Sequence, residues 1–134
     1  VIPGRKSVGR PYVDPGPDLT AMAGALLELV AAHFALPMDS WDTALTGYEP
    51  GQGFEVHTDA LPEAPKTLDR TVSFSVLLAR PGIEYQGGAF VANGEQVPLE
   101  EGDLVGFTAA TPHLVEPVTD GFRLVWIAFG EVAR

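Results

Sequence analysis

Thr71-Val72-Ser73-Phe74-Ser75-Val76-Leu77-Leu78-Ala79 alternates along its length. In an extended chain Thr71, Ser73, Ser75 and Leu77 fall on one side, and Val72, Phe74, Val76 and Leu78 on the other. Period two over so many residues predicts a strand, and the segments around it continue the pattern. Downstream, Gly87-Gly88 precedes a short strand over Ala89 to Ala92. Gln96 to Leu99, Leu104 to Thr108 and His113 to Val118 follow, each bounded by Gly, Pro or Asp. Phe122 to Phe129 is apolar on both faces apart from Arg123. A strand buried on both sides suits a sheet covered outside by a helix and facing a second sheet inside. Upstream, Thr43 to Glu49 is a further strand, closed by the turn-rich Pro50-Gly51-Gln52-Gly53.

The single helix is expected over Leu19 to Ala35. Leu19, Met22, Leu26, Leu29, Val30 and His33 recur there at helical spacing, Asp18 is placed to cap the start, and Pro37 ends it. Val1 to Asp18, with Pro3, Pro11, Pro15 and Pro17, is an extended arm. Many short strands with one helix predict a mainly β jelly-roll. The whole is one domain over 1–134: an arm over 1–18, a helix over 19–36 and a β-core over 41–130.

Composition limits the function. The chain has 134 residues, 46% of them hydrophobic, enough for one core without covalent staples. Cysteine is absent, which removes disulfides and thiolate metal sites and fits a reducing cytoplasm. Histidine and carboxylate remain as strong metal ligands. Eight basic residues against 18 acidic ones give a net charge of −10, so phosphate backbones would be repelled and nucleic acid is not the expected partner. No apolar run is long enough to span a bilayer, and no membrane partner or leader segment is expected.

Three histidines are present: His33, His57 and His113. His33 lies at the margin of the helix's apolar face, where a structural or solvated role is expected. His57 and Asp59 are two apart, so in an extended segment the imidazole and carboxylate converge; Glu55 shares their parity. With His113, after Pro112 at the head of a strand, they make the two-histidine, one-carboxylate set of non-haem iron(II) sites. Arg123 sits among Phe122, Leu124, Val125 and Trp126, sharing parity with Val125, Ile127 and Phe129 on the inner face. A cation there needs an anionic partner, because an unpaired buried charge is costly. That partner is either a carboxylate of the chain or a ligand's carboxylate gripped by two hydrogen bonds.

These residues carry a resemblance. The run Tyr48-x4-Gly53-Phe54-x2-His57-x-Asp59, then Arg70-x2-Ser73 and Tyr85-x-Gly87-Gly88-x-Phe90, resembles the 2-oxoglutarate and iron(II)-dependent oxygenase superfamily. So does Leu99-x2-Gly102-Asp103-Leu104 with Pro112-His113-x-Val115-x-Pro117-Val118-x2-Gly121-x-Arg123. The prolyl 4-hydroxylase branch is the most similar. The resemblance implies a double-stranded β-helix, cupin-like, with iron(II) on His57, Asp59 and His113 and dioxygen as oxidant. It implies that Arg123 binds the far carboxylate of 2-oxoglutarate, a position where many prolyl 4-hydroxylases carry lysine. It further implies that Tyr48 contacts the cosubstrate and that Ser73 lines its pocket, with Ser75 an equal candidate by parity. Asp59 favours hydroxylation, since related halogenases carry a small residue there.

The implied reaction hydroxylates an unactivated C–H bond of a peptidyl proline, a free amino acid or another small metabolite. Ala60 to Arg70, proline-interrupted and next to the metal pair, is expected to form a lip over the site. The same three ligands would also serve a cupin-type dioxygenase or a zinc hydrolase, and a jelly-roll can be a non-catalytic binding module.

Overall fold

The structure is a computed structural model and describes residues 12–60 and 68–134. Residues 1–11 of the expected arm and 61–67 of the expected lip lie outside the described residues. The elements, in order, are α1 (Pro17–Phe34), β1 (Ser40–Tyr48), β2 (Phe54–His57), β3 (Leu68–Leu77), β4 (Tyr85–Gly87), β5 (Phe90–Ala92), β6 (Glu95–Gln96), β7 (Leu104–Thr108), β8 (His113–Val115), β9 (Val118–Gly121) and β10 (Arg123–Ala133). One antiparallel sheet runs β1-β10-β3-β7 and a second runs β2-β8-β5-β6, while β4 and β9 form a separate pair. This is the expected jelly-roll. Leu68 to Arg70, expected in the lip, already belong to β3.

The helix starts two residues early and buries a face rotated from the one expected, keeping Val30 in the core and Leu19 and Leu26 at its edge. Gly16 is the N-cap, Pro17 occupies the first turn, and the Thr20 hydroxyl donates to the Gly16 carbonyl. Proline suits that position because its missing N–H would have no partner there. Asp18 makes no cap hydrogen bond; it lies in the first turn, where its charge complements the helix dipole. Ala23, Gly24, Leu27, Val30 and Ala31 are buried, while Met22 and Leu29 are exposed. The small residues face the sheet because the helix lies close to it. A Cβ on Gly24 would stand 2.5 Å from the Trp41 ring, and one on Gly106 would stand 2.9 Å from Val30.

Two apolar clusters flank the major sheet. Leu27, Val30, Val72, Phe74, Val76, Trp126 and Ala128 pack between helix and sheet. Tyr48, Leu77, Phe90, Phe107, Val115 and Val125 pack between the two sheets. The central strand β10 feeds both, which explains why its sequence is apolar on both faces.

Two departures from the expected strands have local causes. The strand expected over His113 to Val118 breaks at Glu116-Pro117, since proline has no N–H for the ladder. Beyond the break the Pro117 carbonyl accepts from Gly88, and β9 leaves to pair with β4. In β3, Arg70 pairs with Glu131 and Val72 with the adjacent Gly130, so Thr71 is an extra residue. Such a bulge reverses the inside–outside alternation. The Thr71 hydroxyl accordingly bonds the Pro37 carbonyl on the helix side, not the inner side expected from parity. Arg70 turns inward. Among the described residues no helix is long and apolar enough to cross a membrane.

Candidate metal centre and cosubstrate pocket

His57 and His113 end up side by side because β2 and β8 pair with these two residues directly opposite. Asp59 follows two residues beyond His57, where the backbone N–H groups of Asp59 and Ala60 both donate to the Ala109 carbonyl, at 2.9 and 3.0 Å. That fork turns the carboxylate toward the imidazoles. Asp59 Oδ1 lies 3.7 Å from His57 Nε2 and 3.4 Å from His113 Nε2. One ligand atom from each of the three falls within 4.8 Å of the others.

The tautomers suit metal binding. His57 Nδ1 lies 2.7 Å from the Glu55 carbonyl and His113 Nδ1 lies 2.9 Å from the Thr111 carbonyl. A carbonyl only accepts, so each Nδ1 carries a proton and each Nε2 is the nitrogen left to face Asp59 and a metal. Glu55 thus contributes its carbonyl, and its carboxylate stays exposed. The ring planes are held by aromatic neighbours: Phe54 stacks on His57 at 3.9 Å and Phe107 sits 4.6 Å from His113. His33 is exposed on the helix against Phe34, apart from this group.

All three donors line a cavity of about 730 Å³ that also contains Tyr48, Thr46, Ser75, Val125, Ile127 and Arg123. Arg123 is 2% exposed. Among the described residues no carboxylate lies within 4.0 Å of its guanidinium, and its buried Nε has no hydrogen-bond partner. Of the two partners left open by the sequence, the internal ion pair is therefore absent among the described residues. The Tyr48 ring, 5.6 Å away on the paired strand, is a weaker neighbour. Gly88, at φ +67°, makes room for the arginine: a Cβ there would stand 3.0 Å from Arg123 Cδ. A buried, orphaned guanidinium facing a cavity fits a ligand carboxylate.

The 2OG-Fe(II) oxygenase superfamily model matches residues 43–129, the span that contains every one of these groups. The chain belongs to that superfamily. Among curated relatives, the PKHD-type hydroxylase of Saccharophagus degradans is 33% identical over 114 residues, covering 79% of this chain and 49% of that one. That of Psychrobacter sp. (strain PRwf-1) is 33% identical over 126 residues, covering 84% and 48%. The chain spans about half the length of these relatives. A Pseudomonas putida prolyl-4-hydroxylase superposes with a TM-score of 0.70 at 23% identity, over 93% of this chain and 71% of that one. A viral collagen prolyl hydroxylase from Paramecium Bursaria Chlorella virus-1 gives 0.71 at 16% identity, over 92% and 78%. These two likenesses establish the shared fold.

Within this superfamily member, iron(II) fits the His57-Asp59-His113 donors and 2-oxoglutarate fits the Arg123 end of the cavity. Ser75, not Ser73, lines the cavity; Ser73 is buried beside Phe129 and Phe107, its hydroxyl without a partner among the described residues. Arg70 was not anticipated as a site residue. Its parity matches Val72 and Phe74, and only the Thr71 bulge brings it to the cavity.

Proposed function

We propose that the chain is an iron(II)- and 2-oxoglutarate-dependent dioxygenase that hydroxylates an unactivated C–H bond. One observation carries this: a single cavity joins a three-donor metal site to a buried arginine with no ion-pair partner among the described residues. A zinc hydrolase or a cupin-type dioxygenase with the same ligands would leave Arg123 buried and unpaired, at considerable cost. The hydroxylase names of the curated relatives support the reading, as does the carboxylate at Asp59.

Iron(II), 2-oxoglutarate and dioxygen together supply an oxidative decarboxylation, in which substrate, cosubstrate and dioxygen give hydroxylated substrate, succinate and carbon dioxide. The protein's own contributions are positional. His57 and His113 would hold the metal through Nε2, because their Nδ1 atoms are tied to backbone carbonyls. Asp59 adds a negative charge, held by the two N–H bonds to Ala109. Arg123 fixes the far carboxylate of the cosubstrate, and Val125 and Ile127 keep that end of the cavity apolar.

The substrate class proposed is a prolyl residue, a free amino acid or another small metabolite, not nucleic acid, which a net charge of −10 would repel. The cysteine-free composition supports a cytoplasmic setting. Purified protein should form succinate from 2-oxoglutarate only with both iron(II) and dioxygen. Turnover of another substrate with zinc alone would refute the proposal.

A further inference from the structure

Arg70 is a second guanidinium in the wall of the same cavity. Its plane stacks on the Phe129 ring, 3.8 Å from the ring centre. One terminal nitrogen makes a long contact, 3.5 Å, to the backbone carbonyl of the metal ligand Asp59. Its Nε is buried and has no hydrogen-bond partner, and no carboxylate lies within 4.0 Å among the described residues. Glu131 and Asp42 lie close enough for their charges to be felt: Arg70 pulls the Glu131 carboxyl down while Asp42 and, above all, burial push it up. Asp42 also lines the cavity, as the cross-strand partner of Phe129. Asp42 is exposed and its Oδ1 accepts from the Thr43 backbone N–H at 3.0 Å, with no cation within 4.0 Å among the described residues. Next to the metal ligands, then, the wall carries a part-buried guanidinium and an exposed carboxylate beside the Phe129 ring, neither with an ion-pair partner within 4.0 Å among the described residues.

We infer that Arg70 anchors the carboxylate of the substrate to be oxidised, and that this substrate is a free amino acid with its ammonium group toward Asp42. The inference rests on the hydroxylase reading and narrows it, choosing the free amino acid over the peptidyl residue. An internal residue of a peptide carries neither backbone charge and would offer Arg70 only a neutral carbonyl and Asp42 only a neutral N–H, so the preference rests mainly on the part-buried guanidinium, for which a carboxylate is the stronger partner. A free α-amino acid supplies both charges on one carbon. Its side chain is left to lie along Phe129 toward the triad. The bidentate geometry of guanidinium suits a planar carboxylate, and stacking on Phe129 fixes the orientation of the fork before ligand arrives.

The test uses the iron-loaded protein with 2-oxoglutarate and measures succinate above the substrate-free rate. The probes are the twenty free L-amino acids, their C-terminal amides, and short blocked peptides of the same residues. At least one free amino acid should stimulate succinate release, and its amide should not. For that amino acid, Arg70→Gln should raise KM about tenfold or more, as expected when a charge-assisted hydrogen bond is lost. Arg70→Lys should recover part of the loss, since the charge returns without the fork. Asp42→Asn should raise KM for the free amino acid as well.

Stimulation by amides or blocked peptides equal to that by free amino acids would overturn the inference. So would the absence of stimulation by any free amino acid in a protein that still makes succinate without substrate. A rise in the iron(II) requirement of Arg70→Gln with KM unchanged would show instead that Arg70 only props the Asp59 loop, which also overturns it. Absence of any iron-dependent succinate from wild type would sink the hydroxylase reading itself, a result distinguishable from all of these.

Discussion

Replacing Arg123 by leucine separates binding from folding, because only binding should respond strongly. The guanidinium is 2% exposed, its Nε has no partner, and no carboxylate lies within 4.0 Å among the described residues. In the ligand-free protein it is therefore a buried charge, offset only by the Tyr48 ring at 5.6 Å. Leucine removes that charge but is the shorter side chain, so the space it leaves offsets part of the gain and the variant should melt close to wild type. Cosubstrate binding should suffer instead. Removing one partner of a desolvated charge pair costs about 2–5 kcal/mol. At roughly 1.4 kcal/mol per factor of ten, 2-oxoglutarate binding should weaken at least about thirty-fold. Isothermal titration of 2-oxoglutarate into manganese-loaded protein under argon measures this directly, with manganese affinity as the control because the arginine is not a ligand. Arg123→Lys should lie between, keeping the charge without the two-pronged fork. A correctly folded Arg123→Leu protein that binds 2-oxoglutarate as tightly as wild type would refute the reasoning.

Three further outcomes follow from the same geometry. His57→Ala or His113→Ala should abolish iron-dependent succinate formation and weaken binding of a divalent probe such as cobalt(II), followed by its visible spectrum, because one donor of three is lost. Phe74→Ala should destabilise the fold by about 3–5 kcal/mol in a denaturant titration, since this ring is 1% exposed and packs between helix and sheet against Trp126. Glu131 should give a pH signal: burial holds its carboxyl above the ordinary value, so the folded state keeps a proton that the unfolded chain has already lost. Stability therefore falls as pH rises from the ordinary glutamate value of 4.5 through the raised one, and Glu131→Gln should gain on wild type in melting temperature as pH rises across that range. An unchanged difference across that range would contradict it.

The parts of the site that sequence exposed are those governed by strict alternation. Arg123 faces inward with Val125 and Ile127 because β10 is regular through that stretch, and Asp59 keeps the expected side although it lies past the end of β2, held there by the bonds to Ala109. The parts it concealed depend on breaks in regularity or on how closely elements approach. Arg70 has the parity of outward-facing Val72 and Phe74, and only the extra residue at Thr71, visible in the pairing with β10, turns it into the cavity. The helix buries Ala23, Gly24, Leu27 and Ala31; of the expected stripe Val30 is buried and Leu19 and Leu26 pack at the edge of the core, while Met22 and Leu29 are exposed. Hydrophobicity alone does not register that Trp41 fills the space beside Gly24. The β4–β9 pair joins residues far apart in sequence through short glycine-containing segments, and neither segment alternates long enough to announce a strand.

The most direct single measurement is anaerobic titration of the metal-free protein with iron(II) and then 2-oxoglutarate, followed by visible absorption. Iron(II) held by His57, Asp59 and His113 beside a cosubstrate anchored on Arg123 should give a metal-to-ligand charge-transfer band that saturates at one equivalent of each. His113→Ala should show none, and Arg123→Leu should require at least about thirty-fold more 2-oxoglutarate to reach the same intensity. A wild-type protein that binds iron(II) stoichiometrically yet develops no band with excess 2-oxoglutarate would contradict the assignment of this cavity.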